Sequence, residues 1–287
     1  MRRNNKLEYA EITGNVNNTV NGTANKKKGM AVALTAMLFL LVFMISSHCG
    51  SAEISVLDLV WQCISGNHKE KFDSVSYIFF QVRLPRVILC SLTGAALGLS
   101  GCVMQNILRN PLASPFTLGV SSGASFGAAL AMVTGTTLLK NSAMFSGAEA
   151  LKNLDVCLIF TIHMAWDFNS MNAGEDIAAT LGVNVRRLKM ISLLLVTLVA
   201  SISIAFSGVI GFIGLVAPHI ARSLTGTDNR RLIPESALMG ALVLLVSDTV
   251  ARTVLLPKEM PVGIITSLIG VPFFLFILTR KKKIWGN

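Results

Sequence analysis

The chain has 287 residues, 52% hydrophobic and only 14% charged, with a mean hydropathy of +0.62. A soluble domain carries roughly 25% charged residues, so this composition excludes an ordinary soluble enzyme and, more firmly, a disordered chain. A formal charge of +10 would suggest nucleic acid in a soluble protein; in so apolar a chain it is read against the membrane spans, and no nucleic-acid partner is expected.

Residues 1–29 differ from the rest. They are rich in Asn, Thr, Gly and Lys, show no apolar period, and read as a disordered cytoplasmic tail ending in Lys26, Lys27 and Lys28. Residues 30–287 read as one transmembrane domain. Its first apolar run, Met30 to Ile45, is either a signal peptide or a spanning helix. A signal peptide would need small residues at its cleavage site; Ser46, Ser47, His48 and Cys49 fit poorly, so a retained helix is expected.

Seven more runs follow: Val87–Ile107, Phe116–Leu139, Leu154–Trp166, Met190–Phe206, Val209–Ile220, Leu238–Val250 and Val262–Thr279. At about 1.5 Å per residue, crossing about 30 Å needs about 20 residues. Most runs reach that with their Gly/Pro-bearing flanks; Leu154–Trp166 does not. Transmembrane β-barrel strands alternate polar and apolar residues, and these runs do not. The expected fold is therefore all-α, a polytopic helix bundle with about seven to eight spans. Cysteines 49, 63, 90, 102 and 157 are odd in number and lack metal-site spacing, so neither disulfides nor a metal site is expected.

Basic residues precede the first run and close the chain at Arg280 to Lys283, so both termini are read as cytoplasmic, with an even number of crossings. The loops holding Arg186, Arg187 and Lys189, and Arg230 and Arg231, fall on the same side. Arg83, Arg86, Arg252 and Lys258 fall on the other, against the rule.

Gly94 and Gly98, then Gly119, Gly123 and Gly127, repeat a four-residue spacing; Gly211 and Gly214 with Gly208 follow it loosely. Such small faces let helix backbones approach in lipid, or line a translocation path. Asn110-Pro111 and Ser114-Pro115 break one apolar stretch, and Pro218-His219 is read as breaking another. Breaks at membrane depth need cover from protein or a cavity. His219 is either a proton relay or, on the favoured reading, a helix-end residue near the interface. Asp155 sits at the edge of the short run and Asp248 is the one acid well inside an apolar run, open to a transport role or a packing role. P-loop, zinc-protease and serine-hydrolase motifs are absent, so no catalytic residue, metal or cofactor is expected. Gly174 to Leu188 reads as a short amphipathic helix with Ile177, Ala178 and Leu181 on one stripe, Glu175 and Asp176 at its start, a Gly182 stop, then a short turn. It is either a solvated loop helix or a knob for a partner's groove.

The motif Arg83-Leu-Pro-Arg86, followed by Gly101, Leu108-Arg109-Asn-Pro-Leu-Ala113, Pro115 and Leu118-Gly119-Val-Ser-Ser-Gly123, resembles the FecCD-type permeases of binding-protein-dependent ABC importers. So do Ser207 to Arg222, Asp228-Asn-Arg-Arg231 with Pro234, Ser247-Asp-Thr with Arg252, and Glu259 through Gly263, Thr266, Gly270 and Pro272 to Phe274. The match covers about 83–139 and 172–280. It implies a membrane subunit for ferric siderophore, haem or cobalamin uptake. Its partners would be a cytoplasmic ABC ATPase, an extracytoplasmic substrate-binding protein, a second permease copy and membrane lipid. Gly174, Glu175, Ala178, Leu181, Gly182, Arg186 and Arg187 would form the ATPase-coupling segment. Arg83, Arg86 and Arg252 would dock acidic residues of the binding protein. Gly94, Gly98, Gly119, Gly123, Gly127, Gly211, Gly214, Pro218 and Asp248 would pack helices or line the pathway. The family carries about ten spanning helices; residues 140–166 here are atypical and imply an internal deletion. A plasma-membrane importer subunit without enzymatic activity is the expectation. A transport-incompetent paralogue that still binds ATPase, or an ion-coupled carrier, are the rivals.

Overall fold

Backbone N–H and C=O groups placed in lipid must pair within the chain, and apolar runs without strand alternation can do so only as helices. The computed structural model describes residues 28–49, 77–134, 147–254 and 260–282. The expected tail through Lys27, Cys63, Lys258, Glu259 and the segment 135–146 lie outside these residues, as do the side chains of Arg280 and Lys283.

Among the described residues every regular element is helical. We number them α1 (Lys28–His48), α2 (Leu84–Ile107, entered without a break from a π-helical turn at Ile78–Arg83), α3 (Val120–Thr134), α4 (Gly147–His163), α5 (Ala165–Ala173), α6 (Glu175–Thr180), α7 (Val185–Ser207), α8 (Ile213–Thr225), α9 (Asn229–Thr253) and α10 (Val262–Lys282). Four described segments are long and apolar enough to cross a membrane: α1, Ile78–Ile107, Val185–Ala205 and α9.

α2 and α9 form the centre as an antiparallel pair. At Gly94 and Gly98 the α9 backbone at Ser236, Gly240 and Ala241 leaves no room for a Cβ, and Gly240 is equally hemmed by Gly94. With no hydrophobic drive between helices in lipid, this close approach holds the pair by dispersion. Gly101 meets Gly214 of α8 in the same way. Leu99, Met104 and Ile107 of α2, Phe168 of α5, and Leu232 and Ile233 of α9 fill the fully buried core. Hydroxyls along the spans bond their own helix four residues back, as in Ser91 to the Val87 carbonyl and Thr197 to that of Leu193, so these polar residues cost the bundle little.

Several sequence boundaries move. α1 begins at Lys28, two residues before the expected start. The short run at Leu154 is the end of a longer helix, α4, and Trp166 belongs to α5. The expected turn after Gly182 is instead the start of α7, capped by Asn184, whose Oδ1 accepts from the Arg187 N–H at 3.0 Å. The expected break at Pro218 is absent too: Pro218 lies inside α8. Proline cannot bond the carbonyl four residues back, here that of Gly214. Gln105 Nε2 approaches this carbonyl from α2 at 3.5 Å. The break lies at Ser207–Phe212, where Phe212 takes the left-handed region at φ 68°, stacks on Phe116 and presses on Gly270.

Candidate functional site: a braced end and an arginine clasp

The bundle has two polar ends. At one end the chain starts α1, ends α2 and α8, and starts α7 and α9; Lys28 packs over Gly226 there. Four asparagine or aspartate side chains tie the end of α2 and the start of α9 to each other and to α5. Asn106 Nδ2 donates to Asn229 Oδ1 at 2.6 Å, Asn169 Nδ2 donates to Asp228 Oδ1 at 2.8 Å, and Asn169 Oδ1 accepts from the Asn229 N–H at 2.9 Å. Asp228 also caps α9 by accepting from the Arg230 N–H. Burial pushes the Asp228 carboxyl up, but these bonds and the charges of Arg230 and Arg231 outweigh it, and its pKa is lowered overall. Arg230 lies over the Trp166 ring at 3.9 Å.

This bracing positions α5 and α6. Arg109, held at φ 47°, donates from Nη2 to the Met171 carbonyl at 2.5 Å. Gly174 at φ 143° turns the chain from α5 into α6, and Gly182 at φ 87° ends it. Ala178 is fully buried against the core. Its neighbours on the expected stripe are not: Ile177 is 49% exposed and Leu181 67%. Helix α6 therefore splits that stripe, anchoring by one small residue and presenting two large apolar ones outward. Lys189 Nζ donates to Glu175 Oε1 at 2.6 Å, and this bond lowers the Glu175 pKa. Arg186 and Arg187 are exposed on the first turn of α7.

At the opposite end, Asp248 of α9 gathers two arginines. Arg86 Nη2 donates to Oδ1 at 3.0 Å. Arg252 Nε lies 2.9 Å from Oδ2, an ion pair whose angle falls outside hydrogen-bond geometry. Arg252 Nη2 also donates to Ser46 Oγ at 2.7 Å, and Nη1 to the Cys49 carbonyl at 3.3 Å. Arg83 Nη1 donates to the carbonyl of His48 at 2.9 Å. Two guanidiniums thus cap the last turn of α1, where carbonyls lack helical partners and the dipole is negative.

This geometry differs from the outward placement expected of the three docking arginines. Arg83 is 6% exposed and Arg252 4%, both turned inward to α1, while the Arg86 side chain keeps a third of its surface. The packing glycines divide as well. Gly94, Gly98 and Gly214 are close-packed and Gly211 touches Phe116, but Gly119, Gly123 and Gly127 have nothing within reach of a Cβ. Their face is turned away from the described helices. His219 lies within α8, edge-on to Phe273. No cluster of three metal-ligating side chains occurs among the described residues.

Two features escaped the sequence reading. Arg109, Asn106, Asn169 and Asn229 form the brace, and their signal was the run of Asn and Asp at helix boundaries, where such residues cap. Glu235 is a second buried acid, fully enclosed in α9, with Oε1 accepting from Thr35 Oγ1 at 2.7 Å. It lies ahead of the apolar run Leu238–Val250, so hydropathy alone does not place it within a helix.

The model of the FecCD transport family matches residues 38–154 and 149–280. The hemin transport system permease of Yersinia pestis is 32% identical over an alignment of 320 residues, covering 85% of this chain and 95% of that protein. The Fe(3+)-citrate import system permease of Bacillus subtilis is 30% identical over 328 residues, covering 90% and 97%. The inward-facing structure of a transporter assigned to the metal-chelate ABC type superposes with a TM-score of 0.72 at 25% identity, over 87% of this chain and 98% of that one.

Proposed function

Because the chain belongs to the FecCD transport family, we propose that it is the multi-pass permease subunit of an ATP-driven importer, passing an iron-siderophore-type chelate inward across the plasma membrane. ATP would be hydrolysed by a separate ABC ATPase, and this chain would do no covalent chemistry. The observation that carries the mechanism is the braced α6: Ile177 and Leu181 project from a segment tied to α2, α7 and α9. A knob so held transmits a push from a docked ATPase to the central helix pair without bending first, and so switches the bundle between outward- and inward-open states. Gly174, Glu175, Ala178, Leu181 and Gly182 shape this knob, and Arg186 and Arg187 flank it.

That end is then cytoplasmic. α1 starts there, and α10 runs toward it, since Gly263 lies at Val209 and Phe273 at His219 of α8. Both termini on the cytoplasmic side follow. The arginine clasp then faces the extracytoplasmic side, where Arg86 is the exposed contact for an acidic substrate-binding protein and Arg83 and Arg252 support it. The outward glycines of α3 and a second permease copy complete the pathway.

Two observations favour a second reading, a transport-incompetent paralogue that keeps its ATPase. The relatives' alignments run to 320 and 328 residues while drawing on 85% and 90% of a 287-residue chain. The two family matches meet at residues 149–154, within α4. Both facts support a lost middle. Uptake of labelled ferric siderophore into proteoliposomes holding this chain, an ATPase and a binding protein decides. ATP-dependent uptake is expected. ATPase binding without uptake would establish the second reading, and uptake without any ATPase would leave an ion-coupled carrier.

A further inference from the structure

The ends of α2, α5 and α8 leave a cavity of about 380 Å³ walled by Gln105, Asn106, Arg109, Asn172, Arg222 and Thr227. That volume lies within the range of small-ligand sites, roughly 300–1,000 Å³. The wall holds two guanidiniums and no carboxylate. Neither arginine forms an ion pair among the described residues; the Arg109 charge reaches Glu175, but that carboxylate is bonded to Lys189, and Asp228 is bonded to Asn169. The three helix C-termini bring roughly half a negative charge each, less than the two guanidiniums supply, so the cavity stays positive. The Arg109 fork is fixed by its bond to the Met171 carbonyl. Gln105 is 3% exposed and its Oε1 has no partner, so the wall also offers an unused acceptor. Beside the arginines, Leu108 and Leu224 are each 42% exposed.

We propose that this cavity binds a phosphate anion, supplied by the headgroup of an anionic phospholipid such as phosphatidylglycerol. The two guanidiniums would receive the phosphate oxygens, Gln105 Oε1 would accept from a headgroup hydroxyl, and Leu108 and Leu224 would meet the acyl chains. Basic pockets between membrane helices bind headgroups in this way. Free phosphate offers the same charge without hydroxyl or tail.

The test uses the full chain in nanodiscs of phosphatidylcholine containing a minority of phosphatidylglycerol, with retained lipid counted by native mass spectrometry after extraction. Wild type should retain phosphatidylglycerol, and Arg109→Gln with Arg222→Gln should lower retention about tenfold, while Arg230→Gln, outside the cavity, should not. Millimolar inorganic phosphate should leave the lipid bound. If phosphate alone binds wild type, displaces the lipid and is lost from the double variant, the anion site stands with free phosphate as its occupant. Equal lipid retention by the double variant overturns the proposal. Should the double variant misfold, Asn172→Trp, which fills the cavity and keeps both charges, decides: loss of lipid supports the site and undiminished retention overturns it.

Discussion

Arg86 and Asp248 stand 162 positions apart in the chain and meet at 3.0 Å, joining the start of α2 to the end of α9. On its other oxygen Asp248 faces Arg252, one turn further along its own helix. One carboxylate with 1% of its side chain exposed thus balances two cations. Removing it leaves an uncompensated charge at Arg252, which is nearly as deeply buried. Asp248→Asn should therefore destabilise the purified protein by about 3–5 kcal/mol, read as a lowered unfolding midpoint in detergent. Arg86→Gln, at a site one-third exposed, should cost at most about 1 kcal/mol. Equal losses would refute this division.

The glycines make a second contrast. At Gly98 a methyl group would collide with the Ser236 carbonyl, backbone that cannot swing aside. Gly98→Ala should cost about 1–3 kcal/mol by overpacking the central pair. Gly123 lies on α3 with open space around it, so Gly123→Ala should gain about 0.5–1 kcal/mol from helix propensity. Thermal denaturation of the two variants side by side checks the opposite signs.

The knob separates folding from coupling. Ile177→Ser with Leu181→Ser removes exposed apolar surface and should leave the unfolding midpoint unchanged while weakening ATPase association at least about tenfold. Ala178→Leu should do the reverse first, destabilising by about 1–3 kcal/mol because no space surrounds that residue. Co-purification with the ATPase and a melting curve on each variant distinguish the two effects.

The Glu175–Lys189 bond predicts a pH window. The folded state lowers the Glu175 pKa, chiefly through the hydrogen bond from Lys189. A depressed carboxylate contributes stability that is present above its unfolded pKa, about 4.3, and lost as pH falls through the folded value. Hydrogen exchange over Gly174 to Gly182, corrected for the intrinsic rate, should therefore be flat from pH 8 to about 5 and rise below about 4. A rise near pH 6 would count against this bond as the brace. Lys189→Gln should remove the transition.

The helices were legible where they carry an apolar run, and every expected run overlaps a helix; of the seven to eight spans expected, four described segments are long and apolar enough to cross. Boundaries were not, since charged and polar residues such as Lys28, Arg186 and Asn229 continue helices past the point where hydropathy stops. Pro218 misled for a related reason: a buried proline is tolerated within a membrane helix when a neighbour meets the carbonyl it abandons, and Gln105 of α2 approaches that carbonyl. The α6 stripe was visible, but not which member faced inward, because that depends on Arg109 and Met171 holding α5 in place. The arginines were found by their offence against the charge rule. The inward turn of Arg83 and Arg252 was hidden because they bond chiefly backbone carbonyls at the end of α1, with the Ser46 hydroxyl beside them.

Those carbonyls bear on what keeps α1 in the bundle. The residues that close the end of α1 are Arg83 and Arg252, the second of them some 200 positions downstream. Within this chain the final turn of α1 cannot be satisfied by its own helix. Arg83 reaches it from the turn leading into α2, and Arg252 from α9. The end of α1 therefore depends on a residue some 200 positions away, and α9 holds in place a helix of which only 11% is buried.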